Sequence, residues 1–254
     1  MTKRALFGAT GLVGQNLRRQ VSFDLEFSRS NAEDCRQIQV DELVLCGLPA
    51  EKWRANKDHL GDWANTQRVM DLISTVRAGH VLLISTVDVY AVPLRVKEDS
   101  HNFQTEPGYG LHRLLFERFV IEHFSRVTIL RLPALFGVGL KKNALFDALQ
   151  ENQLQNISLN SSFQWYPLER LWRDAQVVRN AGVQLCNFAV EPVATKEWMA
   201  LFFPDILARC NEKPGACYNM LTIHGRLFDQ GGDYMLLRES VLEAMGRFID
   251  EARK

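Results

Sequence analysis

Cysteine is scarce and unpatterned in this chain. The five cysteines, Cys35, Cys46, Cys186, Cys210 and Cys217, form no C-x-x-C pair and no metal-type spacing. Thiols in a reducing compartment are therefore expected rather than a disulfide framework. His59, His80, His101, His123 and His224 are equally scattered, and no metal is expected. No apolar run approaches the roughly 20 residues of a membrane span. Met1-Thr2-Lys3-Arg4 leads straight into a short apolar strand without a signal-peptide core, so a cytoplasmic location is expected. Net charge is missing too. Thirty basic and thirty acidic side chains cancel, which argues against nucleic acid or an acidic membrane as a partner held by bulk electrostatics. The chain also lacks internal repeats, low-complexity segments and long linkers.

What remains is ordinary globular composition, 46% hydrophobic and 24% charged over 254 residues, enough for one sizeable core with a modest appendage. Short apolar runs alternate with helical patterns, as in a parallel sheet covered on both faces. Strands are predicted at 5–7, 23–27, 42–46, 81–85, 127–132 and 184–190, the last expected to rejoin the main sheet. Helices are predicted at 12–21, 66–76, 109–124, 145–149 and 236–252. In the helix from Tyr109, Leu111, Leu114, Leu115, Phe119 and Val120 form an apolar stripe, suited to internal packing or to a homodimer interface. Residues 154–165 stay ambiguous.

Directly after Ala5-Leu6-Phe7 comes Gly8-Ala9-Thr10-Gly11-Leu12-Val13-Gly14. A strand feeding a glycine turn and then a helix brings backbone N–H groups close to a dinucleotide diphosphate. Gly8, Thr10, Gly11, Leu12, Val13 and Gly14 are the expected contacts. Cys46-Gly47-Leu48 and Pro133, at later strand ends, are expected to complete the cofactor site. The second strand runs into Ser28-Arg29-Ser30. Arg29 suits a 2′-phosphate, with hydroxyls beside it, which favours NADP over NAD. The alternatives are a solvated Arg29, or a boundary shift that brings Glu26 or Glu33 to the 2′ position.

Thr86 ends a strand and Tyr109 opens a helix, and both are candidates for hydride chemistry at a carbon bearing oxygen. A phenol with a pKa of about 10 is a poor base at neutral pH unless a cation lies beside it. Arg113 follows Tyr109 by four residues and shares its helix face, so it is expected to hold ribose and favour the tyrosinate. Thr86 is expected to polarise the substrate oxygen. His112 reads as a packing or surface residue. Asp88 either stabilises a turn or faces the substrate.

Gly8-x-x-Gly11-x-x-Gly14, Ser85-Thr86-Val87-Asp88-Val89-Tyr90, Tyr109-x-x-x-Arg113 and Leu130-Arg131-Leu132-Pro133-Ala134-Leu135-Phe136-Gly137 together resemble an extended or atypical short-chain dehydrogenase/reductase. The likeness is to the sugar-nucleotide epimerase/dehydratase group, including dehydrorhamnose reductases. It covers residues 1 to about 140 well and the rest faintly. It implies a Rossmann-type doubly wound α/β fold with a small interleaved C-terminal substrate lobe. On this scheme residues 1–138, with 176–198 rejoining the sheet, bind cofactor, and 139–175 with 199–254 bind substrate. The resemblance makes Thr86 and Tyr109 catalytic. It departs at Arg113, where the family pattern has lysine, because arginine stays protonated and passes no proton.

The resemblance also implies a nucleotide-sugar as the small-molecule partner. Lys141, Lys142 and Asn143, after Gly139, are expected to meet its diphosphate, unless they are an ordinary basic helix flank. Asp88 and Gln164 are further substrate candidates. Phe163-Gln164-Trp165-Tyr166-Pro167 offers either aromatic surface or core; Trp172 and Trp198 read as core. The expected activity is an NAD(P)-dependent reductase or epimerase. The lack of an Asp-Glu pair after Thr86 ranks dehydration lowest. The alternative is a cofactor-binding sensor without turnover, which the Arg113 departure supports.

Overall fold

Alternation along the strands builds the centre of the molecule. Leu6, Val44, Leu82 and Leu130 enter one hydrophobic core, while Phe7, Leu45, Leu83 and Ile129 enter another. Both faces of the sheet are thus covered, as a parallel sheet requires. The computed structural model describes residues 2–228 and 232–254; residues 229–231, inside the expected substrate lobe, lie outside that description. Its first part runs β1 (Arg4–Phe7), α1 (Leu12–Arg18), β2 (Leu25–Phe27), β3 (Gln39–Leu45), α2 (Lys52–Lys57), α3 (His59–Ser74), β4 (Arg77–Thr86), α4 (Tyr109–His123) and β5 (Val127–Leu132). Then follow β6 (Ala134–Phe136), α5 (Ala144–Leu149), β7 (Ser158–Phe163), β8 (Trp165–Pro167), α6 (Leu171–Asn180) and β9 (Leu185–Asn187). The chain ends with β10 (Val193–Ala194), α7 (Thr195–Phe202), β11 (Asn211–Cys217) and α8 (Arg238–Ala252).

The main sheet is parallel throughout, in the order β2-β1-β3-β4-β5-β9. This is a Rossmann-type arrangement, and β9 does rejoin it. Strand order reverses between β1 and β3. The crevice above their C-terminal ends is where such sheets bind ligands. A smaller sheet, β10-β7-β11, and a pair, β6-β8, form beside it.

The core of the β6–α8 region is continuous with one face of the main sheet. Trp165, Trp198 and Met245 are fully buried in the same cluster as Leu6 and Val44. Trp165 and Trp198 meet edge to face at 6.0 Å, an arrangement that adds to their burial. Among the described residues no helix is long and apolar enough to cross a membrane.

Candidate active site

The glycine turn divides its work between packing and access. Gly8 has φ +107, and a Cβ there would strike the Gly47 backbone 2.6 Å away. Its N–H donates to the Phe27 carbonyl at 2.8 Å, tying the turn to β2. A Cβ on Gly14 would run into the Gly8 carbonyl, so this glycine seats α1 against the turn. Gly11 differs. Its φ of −72 suits any residue, and a Cβ would make only one ordinary contact, at 3.4 Å. Nothing in the protein's own packing demands glycine at position 11. An open, side-chain-free face at the switch point fits a dinucleotide diphosphate.

After β2, the Ser28 N–H donates to Asn31 Oδ1 at 2.8 Å and the Ser28 and Ser30 hydroxyls lie 2.9 Å apart. Glu26 pairs with Arg18, and Glu33 with Arg36 and Arg68. Among the described residues no carboxylate lies in ion-pair range of the exposed Arg29. That leaves its guanidinium available to an anion.

A cavity of about 760 Å³ opens over the strand ends. It brings together Leu12, Val13, Cys46, Gly47, Leu48 and Pro133 with Thr86, Asp88, Tyr109 and Arg113. Lys142, Asn143 and Gln164 also reach it, whereas Lys141 does not. Burial pushes the Cys46 thiol up to about 12, so at neutral pH it is an uncharged wall.

Several contacts bring Tyr109 to Thr86. α4 starts at Gly108, which has no side chain to cap it, and Asn56 of α2 accepts the Tyr109 N–H at 2.9 Å instead. Gly110 packs so closely on the Asp88 carbonyl that a Cβ would not fit. Behind this turn, Glu117 of α4 forms a buried pair with Arg131 of β5 at 2.6 Å. It also accepts a short hydrogen bond from Ser85, next to Thr86. Tyr90, the last residue of the motif that begins at Ser85, is structural: its ring is buried and its hydroxyl meets Arg131 at 2.8 Å.

Arg113 does share Tyr109's face, and its guanidinium lies 4.5 Å from the ring centroid. Its expected role needs correction. It donates to both oxygens of Asp62, at 2.9 and 3.0 Å, and to the Pro49 carbonyl at 2.6 Å. Its charge is matched by a carboxylate from α3, and both terminal nitrogens bond to protein although the residue lines the cavity. Burial raises the Tyr109 phenol above its ordinary value, Arg113 opposes that rise, and Asp88 adds to it. The expected lowering by Arg113 is outweighed. His112 is buried, with Nδ1 2.7 Å from Asp62 Oδ2, as expected of a packing residue.

Asp88 faces the cavity rather than only closing a turn. Its Oδ1 accepts from Lys52 Nζ at 2.7 Å and from the Tyr218 hydroxyl at 2.9 Å. Lys52, Asn56, Asp62 and Tyr218 carry no local motif, and sequence reasoning missed them. Their partners lie 36 to 166 positions away, from Lys52–Asp88 to Lys52–Tyr218.

Two expected substrate contacts are corrected. The Asn143 side chain caps α5, accepting from the Phe146 N–H at 3.0 Å and donating to Leu135. Gln164 is fully buried; its amide donates to Val190 and Met220 and accepts the Met220 N–H. Backbone groups take both N–H groups of Gln164 and hold the Asn143 side chain in place. Lys142 donates to the Ala50 carbonyl at 3.1 Å with Glu51 at 3.8 Å, and burial holds its ammonium below the usual lysine value. Trp165 and Tyr166 are core, and only Phe163 of that run shares the cavity wall with Gln164. Phe163 stacks on Tyr218 at 5.5 Å.

The model of the NAD dependent epimerase/dehydratase family matches residues 15–159. Comparison with curated protein sequences finds no match. Among solved structures, dTDP-4-dehydrorhamnose reductase from Bacillus anthracis str. Ames in complex with NADP is similar, with a TM-score of 0.74, 17% identity and 99% of each chain covered. RMD from Pseudomonas aeruginosa complexed with NADPH scores 0.73 at 16% identity, again over 99% of each chain. UDP-glucose 4-epimerase from Thermotoga maritima, with UDP-glucose, scores 0.73 at 10% identity over 99% of this chain and 100% of that one. At these identities the likeness establishes the fold.

Proposed function

We propose that this chain, which belongs to the NAD dependent epimerase/dehydratase family, is an NADP(H)-dependent oxidoreductase or epimerase acting on a nucleotide-sugar or a related polar carbonyl or carbinol. One juxtaposition carries the reading. Thr86 and Tyr109 share a cavity with the start of α1 and with Cys46-Gly47-Leu48, above the strand-order switch. The open face of Gly11 suits the diphosphate, and Arg29, with no carboxylate in ion-pair range among the described residues, favours the 2′-phosphate of NADP over NAD. In this scheme residues 1–138 with 176–198 hold the cofactor, and 139–175 with 199–254 hold the substrate.

Leu12, Val13 and Cys46-Gly47-Leu48 would hold NADP(H), which would supply hydride chemistry when bound. Tyr109 gives or takes the proton of the substrate oxygen, and Thr86 orients that oxygen. Arg113 fixes the Tyr109 ring, through its stacking and its grip on Asp62, rather than holding ribose.

A second reading, an NADP-binding sensor without turnover, draws support from the neutralised Arg113 and the raised phenol. One experiment separates the two. NADP and NAD are titrated against the protein; reduction of dTDP-4-dehydrorhamnose by NADPH and epimerisation of UDP-glucose with NADP+ are followed, wild type beside Tyr109→Phe. The enzyme reading expects NADP affinity within about twofold in the variant and turnover reduced by about 10²–10⁴-fold. Binding without turnover in the wild type favours the sensor, and no binding of either cofactor removes both.

A further inference from the structure

The cation that stacks on the Tyr109 ring from its own helix is not free. It is Arg113, but Asp62 matches its charge with two hydrogen bonds, and both side chains are only 6% exposed. The groups facing Tyr109 come from several elements. α4 supplies Arg113 and His112, both turned to Asp62 of α3. The end of β4 and the turn after it supply Thr86 and Asp88. α2 supplies Lys52 and Asn56, and β11 leads into Tyr218. Of these groups, Asp88 is the anion that Arg113 does not neutralise.

Lys52 lies against that anion. Its ammonium is 2.7 Å from Asp88 and 3.0 Å from the Tyr218 hydroxyl, and that hydroxyl donates to the same Asp88 oxygen at 2.9 Å. The three groups close a ring that holds the ammonium in place on a side chain that is 48% exposed. The placement follows from two helix starts. Lys52 and Asn56 are four apart on α2 and share a face, and Asn56 takes the Tyr109 N–H. The next residue, Gly110, packs on the Asp88 carbonyl.

We infer that Lys52, acting through Asp88, is the positioning residue that sets the proton affinity of Tyr109, supplying the charge that Arg113 has given to Asp62. An uncompensated carboxylate beside a phenol disfavours the phenolate, and a cation clamped on that carboxylate cancels the effect. The inference rests on Tyr109 as the acid/base group. It concerns this chain's own residues and holds with or without cofactor.

The chain has five tyrosines, few enough for each to be assigned by isotope-labelled tyrosine Cζ NMR. Titration of the free protein and of protein with NADP+ added reads the Tyr109 midpoint directly. Lys52→Met is expected to raise it by about one pH unit, while Lys52→Arg, which keeps the charge, stays within about 0.3. In an Asp88→Asn background the Lys52→Met rise is expected to shrink below about 0.3, as a pairwise coupling demands. An unchanged midpoint in Lys52→Met, an equal rise without Asp88, or a wild-type Tyr109 that never titrates overturns the inference. Buried Tyr90 and Tyr166 report whether each variant folds. If Lys52→Met does not, Lys52→Gln, which also removes the charge, is expected to give the same rise, and no rise is equally fatal. Failure of NADP+ to perturb any resonance sinks the proposed function separately, because the free-protein titration still reads the coupling.

Discussion

Glycine spacing says that a turn exists, but the surroundings of each glycine say what it is for. Gly14 has no room for a methyl group against the Gly8 carbonyl, whereas Gly11 has room and an unstrained backbone. The two substitutions therefore separate folding from binding. Gly11→Ala is expected to change stability by less than about 0.5 kcal/mol and to weaken NADP at least about tenfold in a calorimetric titration. Gly14→Ala is expected to cost about 1–3 kcal/mol in urea denaturation through overpacking. Gly11→Ala with unchanged NADP affinity would mean that the open face is not where the diphosphate lies. The same contrast between type and surroundings explains Asn143 and Gln164. Both are polar residues at the cavity wall, and both spend their amides on the backbone.

At the scale of elements, the first turns of α4 hold the candidate chemistry, and they are tied to α2, α3 and β5 by polar contacts. The tie to α3 is a buried carboxylate shared by Arg113 and His112. Burial works against the charge of Asp62, but hydrogen bonds from Arg113 and His112 outweigh it and hold the carboxyl below its ordinary 3.8. A depressed carboxyl stabilises the fold fully above its unfolded value and loses that contribution as the pH falls toward the folded one. Wild-type stability is thus expected to decline below about pH 4. Asp62→Asn is expected to cost about 3–5 kcal/mol at neutral pH, since it strands a buried guanidinium, and to flatten that decline. Urea midpoints between about pH 3 and 7 test both, and a variant as acid-sensitive as the wild type would remove Asp62 from the account. Much of this framework is readable locally. The apolar runs of β1, β3, β4 and β5, the long α4 and the return of β9 all carry periodic signals. The ambiguous 154–165 stretch holds β7 and the first residue of β8. β11 was invisible because Lys213-Pro214-Gly215 carries no strand pattern; it pairs with β7 through two register shifts. The buried face of α4 is broader than its apolar stripe. His112, Arg113 and Glu117 are buried alongside Leu114 and Val120 because each found a partner. Such partners lie 14 to 51 positions away, beyond the reach of periodicity.

Across the whole molecule, the interleaved connectivity makes the proposed cofactor and substrate regions one cooperative body. β9 leaves the C-terminal region to complete the main sheet, and one hydrophobic cluster joins Leu6 and Val44 to Trp198 and Met245. Lys52 meets Tyr218, and Lys142 meets the Ala50 carbonyl, across the cavity. A ligand bound at the strand ends should therefore stabilise elements it never touches. At about a hundred times its dissociation constant, NADP is expected to add about 2.7 kcal/mol, a rise of roughly 5–10 °C for a chain of this size. Far-UV dichroism follows the sheet and helices, while tryptophan emission is weighted toward Trp165, Trp172 and Trp198 in the second half of the chain. The two signals are expected to melt together and to move together on adding NADP, as a single transition requires. Separate melts, with only one responding to NADP, would mean that the shared core does not couple the two regions. The cavity between them would then be a meeting of independent parts, not one site built by one fold.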